Sequence, residues 1–238
     1  MDNDGQELIV GGNDHFYHTY NLLSGQKYRS RLPREIRALK TFELSHCGKY
    51  MATIGEFGEV HLLHAVTKEL LCTLKQEYQS TSINFSKDSN KLFSHSDDNE
   101  VTIFDLRKQR IEHRFVDNGC VNGTSLTISE NEKLLATGSR QGFVNIYNYE
   151  DVFLKKLPQP VKAISNLTTE VTDLNFNPTS EMLAMCSSDT NSALKIVHFP
   201  TATVFNNFPT QNAPLGKPTV LAFSPLSGFL GVGTVEGN

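Results

Sequence analysis

Apolar and polar residues alternate with a period of two through residues 81–115, and short polar runs interrupt them at regular intervals. Ile83 and Phe85 lead into Ser86-Lys87-Asp88-Ser89-Asn90, and Leu92 and Phe93 lead into Asp97-Asp98-Asn99. Val101, Ile103 and Asp105 share one face of a third run, with Phe104 and Leu106 on the other. After Arg107-Lys108-Gln109, Ile111, His113 and Phe115 alternate with Glu112 and Arg114. This pattern predicts four antiparallel strands joined by tight turns. The third run is apolar on both faces and should be covered on both; the fourth is apolar on one face only, as an outer strand is.

The same unit recurs along the chain. A polar turn opens at Asp2, Ser45, Ser86, Ser129, Asn177 and Ser224, in steps of 43, 41, 43, 48 and 47 residues. Leu44, Phe85, Ile128, Phe176 and Phe223 stand immediately before the last five. Four strands per unit at a period of about 40–45 residues is the signature of an all-β WD40 β-propeller. The repeats fall at about 1–34, 35–77, 78–118, 119–160, 161–212 and 213–238, with no linker between them. The first lacks an innermost strand and the last its outer two, so the chain reads as an incomplete WD40 β-propeller: about six of seven blades, the first and last truncated.

Strands are expected at Leu8–Val10, Phe16–Tyr20 and Lys27–Arg31 in the first repeat, and at Thr41–Leu44, Tyr50–Ile54, Val60–His64 and Glu69–Leu74 in the second. The fourth should have Ser125–Ile128, Leu134–Thr137, Val144–Tyr147 and a last strand near Val152–Lys155. The fifth should have Val171–Phe176, Met182–Cys186, Leu194–His198 and Val204–Phe208, and the sixth Thr219–Phe223 and Phe229–Gly233. Arg34–Lys40, following Pro33, suggests one helical turn. The Trp-Asp dipeptide of WD40 repeats is replaced by Tyr20-Asn21, Leu63-His64, Phe104-Asp105, Tyr147-Asn148 and Val197-His198, and no Gly-His pair occurs. The Asp–His–Ser network usual in such repeats should therefore be mostly absent, leaving apolar stacking to hold the repeats.

Four stretches carry a more specific resemblance: Gly142-Phe143-Val144-Asn145-Ile146-Tyr147, Asn177-Pro178-Thr179-Ser180-Glu181-Met182-Leu183-Ala184, Val197-His198-Phe199-Pro200-Thr201-Ala202-Thr203-Val204-Phe205-Asn206-Asn207-Phe208-Pro209 and Phe223-Ser224-Pro225-Leu226-Ser227-Gly228. With their surroundings they resemble the U3 small nucleolar RNA-associated protein 18 family. The resemblance implies a nucleolar, nuclear scaffold, a UTP-B subunit of the small-subunit processome, acting in pre-rRNA processing and 18S rRNA maturation. Its implied partners are the other UTP-B proteins, U3 snoRNA and pre-rRNA. The family's N-terminal extension, with its exosome-helicase-recruiting motif, has no counterpart in this chain. A different WD40 role, as a substrate receptor or peptide reader of a complex such as a ubiquitin ligase, would need a ring of basic or aromatic residues at a channel mouth, which spacing alone does not place.

Composition narrows the chemistry. The 238 residues include 38% hydrophobic and 20% charged, with a net charge of −4, so no global field draws the chain to nucleic acid or anionic lipid. No apolar run approaches the roughly 18 residues of a membrane helix, and the polar, acidic start does not read as a signal peptide. Neither a membrane nor a small-molecule substrate is expected as a partner. Cys47, Cys72, Cys120 and Cys186 show no paired spacing and read as reduced thiols. His15/His18 and His61/His64 are three apart on predicted strands, which sends their side chains to opposite faces. No metal or cofactor is expected. No G-x-S-x-G, P-loop or H-E-x-x-H motif is present, and in Ser94-His95-Ser96-Asp97 adjacent residues cannot converge as a triad does. The chain reads as non-enzymatic.

Two surfaces remain as candidates. Lys27, Arg29, Arg31, Arg34, Arg37 and Lys40 place six of the 22 basic residues within 14 positions, against one acid, Glu35. Such a stripe suits phosphates or an acidic partner, although outer strands favour charge in any case. A smaller cluster, Arg107, Lys108 and Arg110, falls on the opposite rim. The connections at 117–123 and 156–170 join outer strands to the next repeat; Asp117, Asn118 and Asn122 are the candidate partner-binding residues of that loop face.

Overall fold

At five places along the chain a Ser or Asn turn sets the spacing of the strands. In a computed structural model describing residues 5–209 and 215–237, the side-chain oxygen of Ser45 accepts the N–H of Tyr50, Ser86 that of Lys91, Ser129 that of Leu134, Asn177 that of Met182 and Ser224 that of Phe229, at 2.7–3.1 Å. Each of these is five residues on. The residue three places after each anchor has a left-handed backbone: Gly48, Ser89, Glu132, Ser180 and Ser227, with φ between 51° and 69°. A short side chain that accepts a local N–H, followed by a positive-φ residue, closes the turn and fixes the pairing of the strands it joins. The anchor read at Asp2, the repeat boundary at 212–213 and the terminal Asn238 lie outside the described residues.

Among the described residues, twenty-one strands follow in chain order and pair only with sequence neighbours. The first sheet has β1 (Glu7–Val10), β2 (Phe16–Asn21) and β3 (Lys27–Arg31). The second has β4 (Phe42–Leu44), β5 (Tyr50–Ile54), β6 (Glu59–His64) and β7 (Leu70–Lys75). The third has β8 (Ser80–Phe85), β9 (Lys91–Ser96), β10 (Glu100–Asp105) and β11 (Arg110–Val116). β12 (Gly123–Ile128), β13 (Leu134–Ser139), β14 (Val144–Asn148) and β15 (Lys162–Ile164) make the fourth. β16 (Asp173–Phe176), β17 (Met182–Cys186), β18 (Leu194–His198) and β19 (Thr203–Val204) make the fifth, and β20 (Pro218–Phe223) with β21 (Leu230–Thr234) the sixth. The one helix among the described residues, α1 (Asp151–Leu154), is a single turn. No helix there is long and apolar enough to cross a membrane.

The chain is all-β, as its alternation predicts, and three differences from the predicted elements have physical causes. Val152–Lys155 is not a strand: α1 occupies it and buries Val152 completely. The fourth strand of that sheet is β15, inside the stretch expected to be loop. There Val144 pairs with Ile164, and Ile164 joins the apolar cluster around Ile146 and Val171. The strand expected at Val204–Phe208 is only two residues long, because Asn206-Asn207 turns the chain away ahead of Pro209. Arg34–Lys40 forms no helix; a turn from the Pro33 carbonyl to the Ile36 N–H instead drops Ile36 and Leu39 into the core.

Two compact units divide the chain, one within residues 1–94 and 103–112, the other within 95–102 and 113–238. The first holds two clusters, one around Leu32, Ile36, Leu39, Met51 and Leu63, the other around Val60, Ile83, Phe85, Leu92 and Phe104. The second holds one around Ile146, Val171, Phe176 and Leu183 and another around Ala184, Leu194 and Leu221. Apolar stacking is not the whole of it, contrary to the expectation drawn from the missing Gly-His pairs. Buried side-chain bonds join Ser80 to Ser94 (2.7 Å), and Asp117 to Tyr147 (2.6 Å) and Asn145 (2.8 Å), while a part-buried one joins Thr169 to Ser187 (2.7 Å).

Candidate functional site

Outer strand β3 carries the sequence Lys-Tyr-Arg-Ser-Arg and pairs on one side only, with β2. Alternation puts Lys27, Arg29 and Arg31 on a common face, and all three are exposed. Opposite them on β2 stand Tyr20, His18 and Phe16. The Arg29 guanidinium lies 4.0 Å above the centre of the Phe16 ring, a cation–π contact that holds the charge against the sheet while its edge stays in water.

Beyond β3 the chain alternates core anchors with cations. Leu32, Ile36 and Leu39 are buried, whereas Arg34, Arg37 and Lys40 are exposed. The loop cations do not extend the uniform charge of the strand. Arg37 makes a 2.9 Å ion pair with Glu56. Together with Lys40 it lines a cavity of about 700 Å³ whose wall also holds Glu35, Glu56 and Glu59. That cavity is electrostatically mixed.

Other strands neutralise their charges internally. Lys75 on β7 meets Glu59 at 2.9 Å, Glu112 on β11 meets Lys91 at 2.9 Å, and Arg114 sits 3.7 Å from Glu100. In the smaller cluster Lys108 pairs with Asp105 at 3.4 Å, and Arg107 donates to the Asn90 side chain at 2.8 Å. Among the described residues no ion pair engages Lys27, Arg29, Arg31, Arg34 or Lys40. Exposed pairs contribute little to stability, so the contrast matters for the field the surface presents: β3 carries three exposed cations, and among the described residues no ion pair cancels them.

Of the loop-face residues Asp117, Asn118 and Asn122, the first does not reach the surface. Asp117 is buried and faces inward. One carboxylate oxygen accepts the Tyr147 hydroxyl and the Asn145 amide, at 2.6 and 2.8 Å, and the other lies 3.6 Å from His95 Nε2. It offers no surface to a partner. Asn118 is exposed, but its N–H donates to the Tyr147 hydroxyl and its carbonyl accepts the Asn145 amide. The half-buried Asn122 donates to the Asp97 carbonyl at 2.8 Å. All three residues brace the 117–123 loop.

His95 belongs to this buried group as well. Its Nδ1 lies 3.1 Å from the Ser125 carbonyl, and Gly123 packs so close that a Cβ there would fall 2.4 Å from the imidazole Nε2. Burial pushes the His95 pKa down, against a smaller upward pull from Asp117. Burial likewise raises the Cys120 thiol and the Tyr147 phenol, and Asp117 raises both further. His95, Cys120, Asn145 and Tyr147 are absent from the sequence-predicted sites because their separations follow no ligand spacing. The available signals were a histidine inside an apolar strand and an Asp and Cys three apart in a Gly-rich turn.

His61 and His64 make separate contacts. His61 is buried with Nδ1 3.1 Å from Thr73 Oγ1, while His64 accepts the N–H groups of Val66 and Thr67.

No protein-family model matches the chain. Curated proteins do match it along nearly its whole length. It is 46% identical over 230 residues to the U3 small nucleolar RNA-associated protein 18 homolog of Drosophila melanogaster, covering 97% of this chain and 46% of that protein. It is 36% identical over 238 residues to the Homo sapiens homolog, covering 98% and 43%, and 35% identical over 236 residues to that of Arabidopsis thaliana, covering 98% and 43%. The chain thus spans somewhat less than half the length of these relatives.

Proposed function

We propose, of a chain that belongs to the U3 small nucleolar RNA-associated protein 18 family, that it is a non-enzymatic scaffold of the nucleolar small-subunit processome. Its repeats would stack as blades of a WD40 propeller and present loops and outer strands to neighbouring UTP-B proteins, with U3 snoRNA and pre-rRNA passing over a local basic surface. The observation that carries this reading is the match across 97% of the chain to a protein named for its association with U3 small nucleolar RNA. Antiparallel sheets pairing in strict chain order suit the blade topology. The mechanism is rigid presentation, and no reactive constellation is exposed for chemistry.

Lys27, Arg29, Arg31 and Arg34 are the residues assigned to phosphate contact, since their charge is not cancelled by acidic neighbours among the described residues. Arg37 and Lys40 are the second tier, one paired and both beside acids. The test is charge reversal of Lys27, Arg29, Arg31 and Arg34 to Glu in the full-length protein, followed by recovery of U3 RNA and of small-subunit precursors. Each lost phosphate contact reduces the salt slope of binding by about one. The expected result is an unchanged fold, U3 recovery lowered roughly tenfold or more, and weaker salt dependence. Unchanged recovery and salt slope would reduce β3 to a solvated edge. Recovery of a cullin adaptor in place of U3 RNA would overturn the scaffold reading itself.

A further inference from the structure

Three side chains from two stretches of the second unit bring their ligand atoms within 4.8 Å of one another: His95, Asp117 and Cys120. All three are buried. Asp117 and Cys120 lie three apart in one turn, closed by the Cys120 N–H on the Asp117 carbonyl, and His95 reaches them from β9.

The surroundings fix the donors as the outer shell of a metal site does. Nδ1 of His95 is within hydrogen-bond distance of the Ser125 carbonyl, an acceptor only, so Nδ1 carries the proton. In the neutral ring Nε2 then carries the lone pair, and it is the nitrogen nearer Asp117 Oδ2. Tyr147 and Asn145 both donate to Asp117 Oδ1, which sets the rotation of the carboxylate and leaves Oδ2 toward the imidazole. The Cys120 sulfur lies within 4.8 Å of the same carboxylate.

The charges leave a gap. A buried carboxylate requires a counter-charge, and among the described residues no lysine or arginine pairs with Asp117. A divalent cation that accepts nitrogen, oxygen and sulfur together supplies that counter-charge. Its charge of +2 balances one carboxylate and one thiolate.

We infer that His95 Nε2, Asp117 Oδ2 and Cys120 Sγ form a structural zinc site. Zinc takes imidazole nitrogen and carboxylate oxygen at about 2.0–2.2 Å and thiolate at about 2.3 Å. The 3.6 Å between His95 Nε2 and Asp117 Oδ2 is close to the edge of a tetrahedron built on such bonds. Cys120 releases its thiol proton to solvent as the Zn–S bond forms. The fourth vertex falls to a water. With every donor buried, the ion ties the 117–123 loop to β9 and performs no catalysis.

The test starts with the metal content of the full chain purified without chelator, together with its thermal midpoint before and after treatment with a strong zinc chelator. Roughly one zinc per chain is expected, with a midpoint that falls by several degrees on chelation and recovers on adding zinc. Cobalt substitution should give the near-ultraviolet charge-transfer band of a thiolate ligand. Cys120→Ser should lose the band, whereas Cys47→Ser and His64→Ala, which alter other candidate ligands, should keep both band and zinc. Should Cys120→Ser fail to fold, the wild-type readouts decide. Substoichiometric zinc, a midpoint indifferent to chelator and no cobalt band after refolding with cobalt would overturn the site and leave a hydrogen-bonded lock in its place.

Discussion

Gln76 and Asp117 occupy the same place in successive repeats and solve it differently. The Gln76 N–H bonds to the Gly58 carbonyl and the Asp117 N–H to the Asn99 carbonyl, each at the strand-joining turn of its own repeat. Both side chains are buried. Gln76 stays neutral: its amide donates to the Tyr78 carbonyl at 2.9 Å and to Ser80 Oγ at 3.0 Å, and Ser80 pairs with Ser94. Asp117 carries charge and gathers His95, Cys120, Asn145 and Tyr147 around it. A neutral group is satisfied by hydrogen bonds alone, whereas a buried charge also needs compensation. One repeat therefore has a small amide–hydroxyl lock and the next a larger cluster of titratable groups.

Removing the carboxylate should have the largest effect. Asp117→Ala takes the acceptor from the Tyr147 hydroxyl proton in the interior and leaves the Asn145 amide with the Asn118 carbonyl alone. Denaturant unfolding should show a loss of about 3–5 kcal/mol. A cost near that of an ordinary surface substitution would break the comparison, because it would mean that the charge organises nothing.

Tyr147→Phe comes next. It preserves the edge-on packing of the ring against Phe115, whose centroid is 5.6 Å away, and removes only the hydroxyl between Asp117 and the Asn118 N–H. A loss of about 1–3 kcal/mol is expected. Gln76→Ala should cost about 1–2 kcal/mol, because the two hydroxyls it leaves still bond each other. If the Gln76 variant proved as damaging as the Asp117 variant, charge would not be what separates the two positions.

Much of this fold is legible in the sequence for a local reason. The Ser and Asn turn anchors act within five residues, and alternation reports burial strand by strand. Lys27–Arg31, Tyr50–Ile54, Met182–Cys186 and Leu194–His198 accordingly match β3, β5, β17 and β18 end to end. β15 was hidden because Lys-Ala-Ile is short and preceded by Pro158 and Pro160; its pairing with β14 is set by tertiary packing. The basic strand was legible as a count of charges, but its distinction from β7 and β11 was not, since ion pairs such as Lys91–Glu112 join residues 21 apart. The buried cluster was illegible for the same reason, Asp117 meeting Tyr147 across 30 positions.

The smallest expected effect is also the one that separates the two positions by sign. Burial lowers the His95 pKa below its unfolded value of about 6.5. Below that pH the unfolded chain binds a proton that the folded chain resists, so stability should fall as pH drops from 6.5. The Gln76 position has no titratable group and should contribute nothing to this limb. Asp173 supplies an opposite limb within the same unit. Burial raises its pKa to about 6, even though the N–H groups of Leu221 and Leu174 both donate to it. Between about pH 4 and 6 the unfolded state has released this proton while the folded state keeps it, so this residue erodes stability as pH rises. Thermal midpoints recorded from pH 4 to 8 should therefore show the two slopes superposed. His95→Gln should flatten the limb below 6.5 and leave the Asp173 limb, and Asp173→Asn should do the reverse. Gln76→Ala should lower the whole curve without changing its shape. A Gln76 variant whose pH profile changed shape would show that the two networks are not independent.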